Sequence, residues 1–191
     1  MPDYPPEVRN RFVGDSKPGL VGVTPKRWLS PVAIEDYDPA WVDRYAEVRA
    51  GIESALGSRV LAIEHVGSTS VPGLPAKPVI DVDLLVHDSA DEARYVPALE
   101  PLGYRLLLRE PWWHGHRMLI GGDEDIHLHV WPHDAAEPIR HRLFRDWLRA
   151  HPEDRDLYAD TKRRLAEEQS PDYTMAKSDV IDQIFARIFA A

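Results

Sequence analysis

Apolar residues recur at helical spacing between Asp38-Pro39 and Gly57. Asp38 suits the position before a helix, Pro39 suits the first turn, and Gly57 suits the end. The intervals between the apolar residues are four, three, four and four positions, which predicts an amphipathic helix with one buried face. These residues are Trp41, Tyr45, Val48, Ile52 and Leu56.

Shorter apolar or alternating runs predict strands. They cover residues 33–37, 60–66, 79–86, 105–108, 117–120 and 126–131. A second helix is predicted over Asp91 to Leu102, with a break at Pro97, and three more helices cover about 137–150, 153–169 and 176–190. This order predicts an α+β (α/β) fold, in which helices pack on a mixed β-sheet and the C-terminal part is helical.

Residues 1–27 contain five prolines, scattered charges and no periodicity. Such a segment buries too little surface to offset its ordering entropy, which predicts a mobile N-terminal arm. The alternative is an extended arm packed on the domain, with Trp28 marking where packing begins. One domain is predicted over 28–191, with the mixed-sheet core in 28–135 and the C-terminal helices in 136–191.

Composition and charge exclude several classes of protein. The 191-residue chain has no cysteine, which rules out disulfides, thiolate zinc sites and cysteine nucleophiles. No apolar run suits a secretory signal or a membrane span, so a cytoplasmic location without membrane contact is expected. The net charge of −9 disfavours long nucleic acids, although a bound cation would still allow a small phosphorylated ligand. The oligomeric state is not indicated.

Two aspartates interrupt the otherwise apolar strand 79–86. Alternate residues of a strand point to the same face, so Asp81 and Asp83 are expected side by side. Burying unpaired carboxylates is costly, and a divalent cation would remove that cost, since Mg²⁺ favours one or two carboxylates together with substrate phosphates. The alternative is an edge strand on which both aspartates meet only water.

A turn with the sequence GSTS, residues 67–70, follows strand 60–66 directly. Glycine permits close approach of the backbone, and the adjacent amides and hydroxyls can donate to phosphate oxygens. The turn lies between two strands and shortly before the aspartates. This arrangement predicts a phosphate and metal site formed by the turn together with Asp81 and Asp83.

The segment from Glu64 to Asp83, EHVGSTSVPGLPAKPVIDVD, resembles the characteristic segment of the GrpB family, which belongs to the polymerase-β-like nucleotidyltransferase superfamily. The resemblance covers about residues 32–190 and leaves only the arm outside. It also includes Trp41, the run HLHV at 127–130, the run FRDWLRAHP at 144–152, Tyr158, Lys162 and Lys177.

This resemblance implies a nucleotidyltransferase-like fold and site. By it, Gly67 and Ser68 hold the terminal phosphates of ATP or another nucleoside triphosphate, and Asp81 and Asp83 ligate Mg²⁺ or Mn²⁺. The implied chemistry is in-line attack on the α-phosphate. Such a reaction transfers a nucleotidyl group to a small-molecule acceptor, or adenylates the acceptor as the first half of a ligation.

The superfamily has a third carboxylate on a neighbouring strand, and this chain departs from that pattern. The corresponding strand, 126–131, presents His127 and His129, and its nearest acidic residues lie in the preceding turn. His129 is therefore expected to replace the third metal ligand or the general base, and His127 to contact substrate. Neutral imidazole also suits Zn²⁺, Fe²⁺ or Ni²⁺. The alternative for each histidine is a hydrogen-bonded place in the core.

Further residues complete the predicted site. Thr69, Lys77 and Arg117 are assigned to nucleotide binding, and Arg145 and Arg149, on one face of the helix at 137–150, to substrate contacts. Solvent exposure is the alternative for each basic residue. Two other functions stay open, a non-catalytic nucleotide-binding or accessory module and a metallohydrolase that uses the histidines and aspartates.

Overall fold

In the computed structural model, which describes residues 4–12, 19–169 and 173–191, the short apolar runs form five strands. They are β1 Ala62–Val66, β2 Ile80–Val86, β3 Arg105–Glu110, β4 His116–Gly121 and β5 Ile126–Pro132. The α-helices are α1 Pro6–Arg9, α2 Ala40–Leu56, α3 Val96–Leu99, α4 Glu137–Ala150, α5 Pro152–Glu167, α6 Tyr173–Ala176 and α7 Ser178–Ile188.

The strands form one mixed sheet with the order β1-β2-β5-β4-β3. β2 runs parallel to β5, and the other neighbouring pairs are antiparallel. The predicted α+β fold with a mixed sheet and C-terminal helices is confirmed. The parallel pair at the centre brings together two strands that are far apart in the chain.

One face of the sheet packs on α2, whose apolar stripe is buried as the spacing predicted. Val48, Ile52 and Leu56 join the same core cluster as Val82 and Leu128 from the two central strands. The carboxylate of Asp38 accepts a hydrogen bond from the Ala40 amide (2.9 Å), which satisfies an amide at the start of the helix.

The opposite face of the sheet is covered by the C-terminal helices, which have their own apolar cluster. It is formed by Val71, Leu74, Leu148, Tyr158, Ala159, Val180, Ile184, Phe185 and Ile188. No helix in the described part of the chain is long and apolar enough to cross a membrane.

Two predicted elements differ in the structure. The predicted strand 33–37 is wrong, because Glu35 makes only an isolated bridge with Ala76. Pro78, two positions further along, lacks the amide that the next hydrogen bonds of the ladder need. The predicted helix over Asp91 to Leu102 is reduced to α3 flanked by two 3-10 turns, as a break at Pro97 allows.

The described parts of the N-terminal arm contact the domain. Val8 is buried and its carbonyl accepts a hydrogen bond from Arg140 Nη1 (2.6 Å). The Val21 amide donates to the Leu107 carbonyl (2.7 Å). These contacts favour the packed arm for residues 4–12 and 19–27. Residues 1–3 and 13–18 lie outside the described residues, and mobility stays a prediction.

Candidate functional site

The site lies on the sheet face that carries the two aspartates of β2. Strand alternation turns the neighbours of Asp81 and Asp83 into the core and turns both carboxylates towards the C-terminal helices. Because β5 runs parallel to β2, its register places His127 beside Asp81 and His129 beside Asp83. The fold therefore brings together the two residue pairs that the sequence predicted.

Asp83 is fully buried, and both of its oxygens have protein partners. Oδ1 accepts a hydrogen bond from Trp131 Nε1 (2.9 Å), and Oδ2 accepts one from His141 Nδ1 (2.8 Å). Burial would raise the pKa of Asp83, but the charge and hydrogen bond of His141 hold it below its usual value. Burial would lower the pKa of His141, but Asp83 raises it to about 9. The two residues form an ion pair in which the carboxylate is buried and the imidazole is partly exposed.

Asp81 has a different environment. Its Oδ1 lies 3.3 Å from His127 Nδ1 and 3.8 Å from His129 Nε2. Burial would raise the pKa of Asp81, but the interactions with His127 and His129 hold it well below its usual range. Ligand atoms of these three side chains all lie within 4.8 Å of one another. Within the described residues, the only such group is therefore Asp81, His127 and His129, whereas the sequence predicted Asp83 in place of His127.

His129 is connected to two residues that were not predicted for the site. Its Nδ1 lies 3.0 Å from His116 Nε2, and His116 Nδ1 lies 2.7 Å from Glu110 Oε2. Burial lowers the pKa of His116 well below its usual value, so its imidazole is neutral. Strand alternation could have predicted the place of His116 from the sequence. It puts His116 on the same face of β4 as Met118, which is the strand partner of His129.

Gly67 brings the turn after β1 against Asp81. Its φ of +68° and ψ of −174° belong to a region that is nearly restricted to glycine. A Cβ atom at this position would lie 2.9 Å from the Cβ of Asp81. The close approach that the sequence predicted for this glycine is therefore directed at the aspartate.

The two hydroxyls that follow Gly67 have different partners. Ser68 Oγ accepts a hydrogen bond from Lys162 Nζ (3.0 Å), which also donates to the carbonyl of Pro75. Thr69 is buried, and its Oγ1 donates to the Val79 carbonyl (2.9 Å). The Thr69 hydroxyl therefore fastens the turn to the start of β2, and its predicted nucleotide contact stays a prediction.

A cavity of about 210 Å³ opens beside this turn. It is lined by Ser68, Thr69, Lys77, Val79, Asp81, His127, Lys162, Tyr173, Thr174 and Lys177. The predicted residues Ser68, Thr69, Lys77, Asp81 and His127 thus meet in one place. Two further lysines come from the C-terminal helical layer.

The three lysines of the cavity share a perturbed environment. Burial lowers the pKa of Lys77 and Lys177, and the nearby Asp81 partly offsets this effect. Burial, followed by the positive charge of Lys177 and Arg163, lowers the pKa of Lys162 to about 7. Lys162 was not among the predicted site residues, although a lysine among buried α5 residues is an unusual position and was a usable signal.

Arg117 does not reach the cavity, contrary to its predicted place in nucleotide binding. It follows His116 on β4 and therefore points to the other face of the sheet. There its Nε donates to Glu92 Oε1 (2.7 Å), and it is 7% exposed. Strand alternation thus gives Arg117 a structural role.

Arg145 and Arg149 also lie outside the residues that line the cavity. Arg145 Nη1 donates to Glu64 Oε2 and to the His65 carbonyl, each at 2.9 Å. Arg149 Nη2 donates to the Ser70 carbonyl (2.6 Å). Both arginines hold α4 against β1 and the turn, so the structure uses them for positioning where the sequence predicted substrate contacts.

The sequence and this arrangement were compared with known proteins. The family model described as GrpB protein matches residues 31–187. This chain belongs to the GrpB family. The matched range contains the turn, the aspartates, the histidines and all three cavity lysines. The five-stranded mixed sheet is also consistent with the polymerase-β-like superfamily that the resemblance implied.

Two GrpB-related proteins are similar over nearly their full lengths. A UPF0157 protein of Halalkalibacterium halodurans is 46% identical over 184 residues, which are 95% of this chain and 90% of that protein. The crystal structure of conserved protein GrpB from Enterococcus faecalis has a TM-score of 0.74 and 30% identity, covering 83% of this chain and 98% of that chain.

A third relative is longer. A dephospho-CoA kinase of Mycobacterium tuberculosis is 30% identical over 182 residues, which are 78% of this chain and 44% of that protein. The similarity therefore covers less than half of that kinase.

Proposed function

We propose that this GrpB-family protein binds a nucleoside triphosphate, in the first instance ATP, through its phosphate chain. It then transfers the nucleotidyl group to a small-molecule acceptor, or adenylates the acceptor as the first half of a ligation. The observation that carries the proposal is the convergence of Lys77, Lys162 and Lys177 on one cavity beside Asp81. Similarity to the nucleotidyltransferase superfamily supports the nucleotide as the source of the phosphates.

The charge of the cavity favours an anionic ligand. In the described part of the chain, no salt bridge pairs any of its three lysines with a carboxylate, and Asp81 is the only acidic residue among its lining residues. Burial of unpaired ammonium groups is unfavourable, as the lowered lysine pKa values show. A polyphosphate would supply the missing negative charge and accept several charge-assisted hydrogen bonds.

The size of the cavity suits the phosphates of the ligand. At about 210 Å³ it is smaller than the cavities of about 300–1,000 Å³ that enclose whole drug-sized molecules. We therefore place the phosphate chain inside, and the nucleoside at the mouth. This placement matches the role that the resemblance implied for Gly67 and Ser68.

The residues of the chain have separable tasks in this proposal. The three lysines neutralise and orient the phosphates, which aligns the α-phosphate for in-line attack. Ser68 shares its hydroxyl between Lys162 and the ligand, and Gly67 keeps the turn close to Asp81. A cation held by Asp81, His127 and His129 would stabilise charge on the reacting phosphate.

A non-catalytic nucleotide-binding module is the second candidate. It is favoured by the absence of a carboxylate among the residues of β5, the neighbour of β2. The partial match with a dephospho-CoA kinase is also compatible with an accessory role. The two candidates differ in turnover and not in nucleotide binding.

Calorimetry with ATP, GTP, CTP and UTP, in separate series with Mg²⁺ and Mn²⁺, tests the binding step. The variants are Lys162→Met and Lys177→Met, with Lys26→Met as a control that removes an exposed lysine. Each cavity variant is expected to weaken binding about 10-fold or more, because a hydrogen bond to a charged group contributes about 1.5–3 kcal/mol. Affinity for Lys26→Met should equal that of the wild type.

Wild-type affinity in both cavity variants, or no binding of any nucleotide to the wild type, would sink the proposal. Pyrophosphate release in the presence of a panel of amines, alcohols and acids then identifies transfer. Bound nucleotide without pyrophosphate release across the panel would favour the accessory module.

A further inference from the structure

The ligand group beside the cavity does not match the cation that the family resemblance implies. Mg²⁺ is a hard cation that prefers oxygen ligands in octahedral geometry. Asp81 supplies the only carboxylate of the group, and the other two members are imidazoles. The second carboxylate of the strand, Asp83, is already bound to Trp131 and His141. The donor set therefore does not fit Mg²⁺.

Two nitrogens and one carboxylate oxygen suit a divalent transition metal. Imidazole binds Zn²⁺, Fe²⁺ and related ions well, and two histidines with one carboxylate leave coordination positions open. Metal–ligand distances of about 2.0–2.2 Å bring neighbouring ligand atoms to within about 3–4 Å of one another. Asp81 Oδ1 lies at 3.3 Å from His127 Nδ1 and 3.8 Å from His129 Nε2, which agrees with this spacing.

His127 supplies an independent indication. Its Nε2 is buried and has no hydrogen-bond partner in the residues that the structure describes, and it is the only buried side-chain nitrogen or oxygen there in that state. Buried polar atoms are normally satisfied, and exceptions often mark a functional site. The other ring nitrogen, Nδ1, is the one that faces Asp81 and would bind the ion. The rings of Trp28 and His127 make a T-shaped contact, with their centroids 6.2 Å apart.

The hydrogen bonds of His116 determine which nitrogen of His129 carries a proton. Glu110 can only accept as a carboxylate, so His116 Nδ1 donates to it and His116 Nε2 is left as an acceptor. His129 Nδ1 must then donate to His116 Nε2, so the neutral form of His129 has its lone pair on Nε2. Nε2 is the atom that faces Asp81, and in this form two electron-pair donors meet with no proton between them.

We propose that Asp81, His127 and His129 bind a divalent transition metal, of the series from Mn²⁺ to Zn²⁺, in preference to Mg²⁺. Glu110 and His116 are positioning residues that hold His129 in the tautomer required for binding, as carboxylate–histidine pairs do in other metal sites. This inference rests on the proposed function only in the role given to the metal, which is to stabilise phosphate charge beside the cavity. Metal binding itself needs no nucleotide.

Calorimetry of the metal-free protein with Zn²⁺, Mn²⁺ and Mg²⁺, in the absence of nucleotide, measures the preference. One Zn²⁺ or Mn²⁺ is expected per chain, with Mg²⁺ at least about 100-fold weaker in view of the imidazole donors. His129→Asp restores a carboxylate and should reverse the order, weakening Zn²⁺ and strengthening Mg²⁺. His133→Asn, at an exposed position beside His87, controls for adventitious binding by surface histidines.

The positioning residues are tested with His116→Asn and the conservative Glu110→Gln. Each should weaken transition-metal binding about 10–100-fold, as loss of such partners does elsewhere, and should change the visible absorption of bound Co²⁺. An unchanged affinity and spectrum in both variants would overturn their role, with circular dichroism confirming that each is folded.

Equal affinity of the wild type for Mg²⁺ and Zn²⁺, or unchanged Zn²⁺ binding in His129→Asp, would overturn the metal assignment. That result would leave the proposed function standing if ATP still binds with Mg²⁺. Tight Zn²⁺ binding without any nucleotide binding would overturn the proposed nucleotidyltransferase function and support the metal site.

Discussion

At the residue scale, side chains of the same type have different pKa values because their environments differ, and Lys162 is the clearest case. It is 2% exposed, and its ammonium group contacts Ser68 Oγ, the Pro75 carbonyl and the ring of Tyr158. An ordinary surface lysine is charged at every physiological pH. Lys162 has a pKa of about 7, so an anion bound in the cavity would increase the fraction of the side chain that is charged.

Lys162 should therefore make nucleotide binding consume a proton. A bound phosphate raises the pKa of Lys162 above its value of about 7 in the free protein. At pH 8 the free side chain is mostly neutral and the bound one charged, so binding takes up protons; at pH 6 both are charged and Lys162 contributes no uptake. Calorimetry in buffers of different ionisation enthalpy measures the number of protons taken up per nucleotide bound.

The variant Lys162→Met should lose most of the uptake at pH 8, and Lys26→Met should retain it. Equal uptake in the wild type and in Lys162→Met would assign the proton to another group.

At the element scale, the turn between β1 and β2 is held from three sides. Thr69 fastens it to Val79 at the start of β2, and Lys162 of α5 donates to Ser68. Arg149 of α4 donates to the Ser70 carbonyl. The turn is therefore an assembled part of the site, and its backbone conformation depends on Gly67.

Gly67→Ala should destabilise the protein in two ways, by straining the backbone and by crowding Asp81. The glycine conformation costs an alanine about 1–3 kcal/mol, and the added Cβ lies 2.9 Å from that of Asp81. Gly57→Ala is the matched control, since Gly57 also has a positive φ of 55° but no atom within 4 Å of its added Cβ. Urea unfolding should show a loss about 1–3 kcal/mol larger for Gly67→Ala, because of overpacking. Equal losses would contradict the close approach to Asp81.

At the scale of the whole molecule, the site lies between the sheet and the C-terminal helical layer. The ion pair of Asp83 on β2 with His141 on α4 joins these layers, and Arg145 joins α4 to β1. The cavity depends on the same junction, because two of its lysines come from the helical layer and one from the loop before β2. Stability and binding are therefore linked through the packing of the two layers.

The variants Asp83→Ala and Asp81→Ala should separate the structural aspartate from the functional one. Removing Asp83 leaves the partly exposed His141 without its partner and the buried Trp131 Nε1 without an acceptor, which should cost about 1–3 kcal/mol of unfolding free energy. Asp81 is 28% exposed, so its removal should cost less. Urea unfolding measures both values. A greater loss for Asp81→Ala would refute this division of roles.

The sequence by itself determined most of the elements and the family, because local patterns encode them. The spacing of apolar residues predicted α2 and the C-terminal helices, while the segment from Glu64 to Asp83 indicated the GrpB family. Strand alternation placed Asp81 and Asp83 on one face and His127 and His129 on one face. Each of these conclusions depends on residues that are close together in the chain.

Only the tertiary structure decided which of these residues work together. The pairing of β2 with β5 set His127 beside Asp81, although the two residues are far apart in the chain. Likewise, α4 brought His141 to Asp83, across 58 positions. The burial of Lys162 and the direction of Arg117 likewise depend on distant elements. Sequence periodicity specifies the face on which a side chain lies, but its partner across the interface depends on how the elements pack.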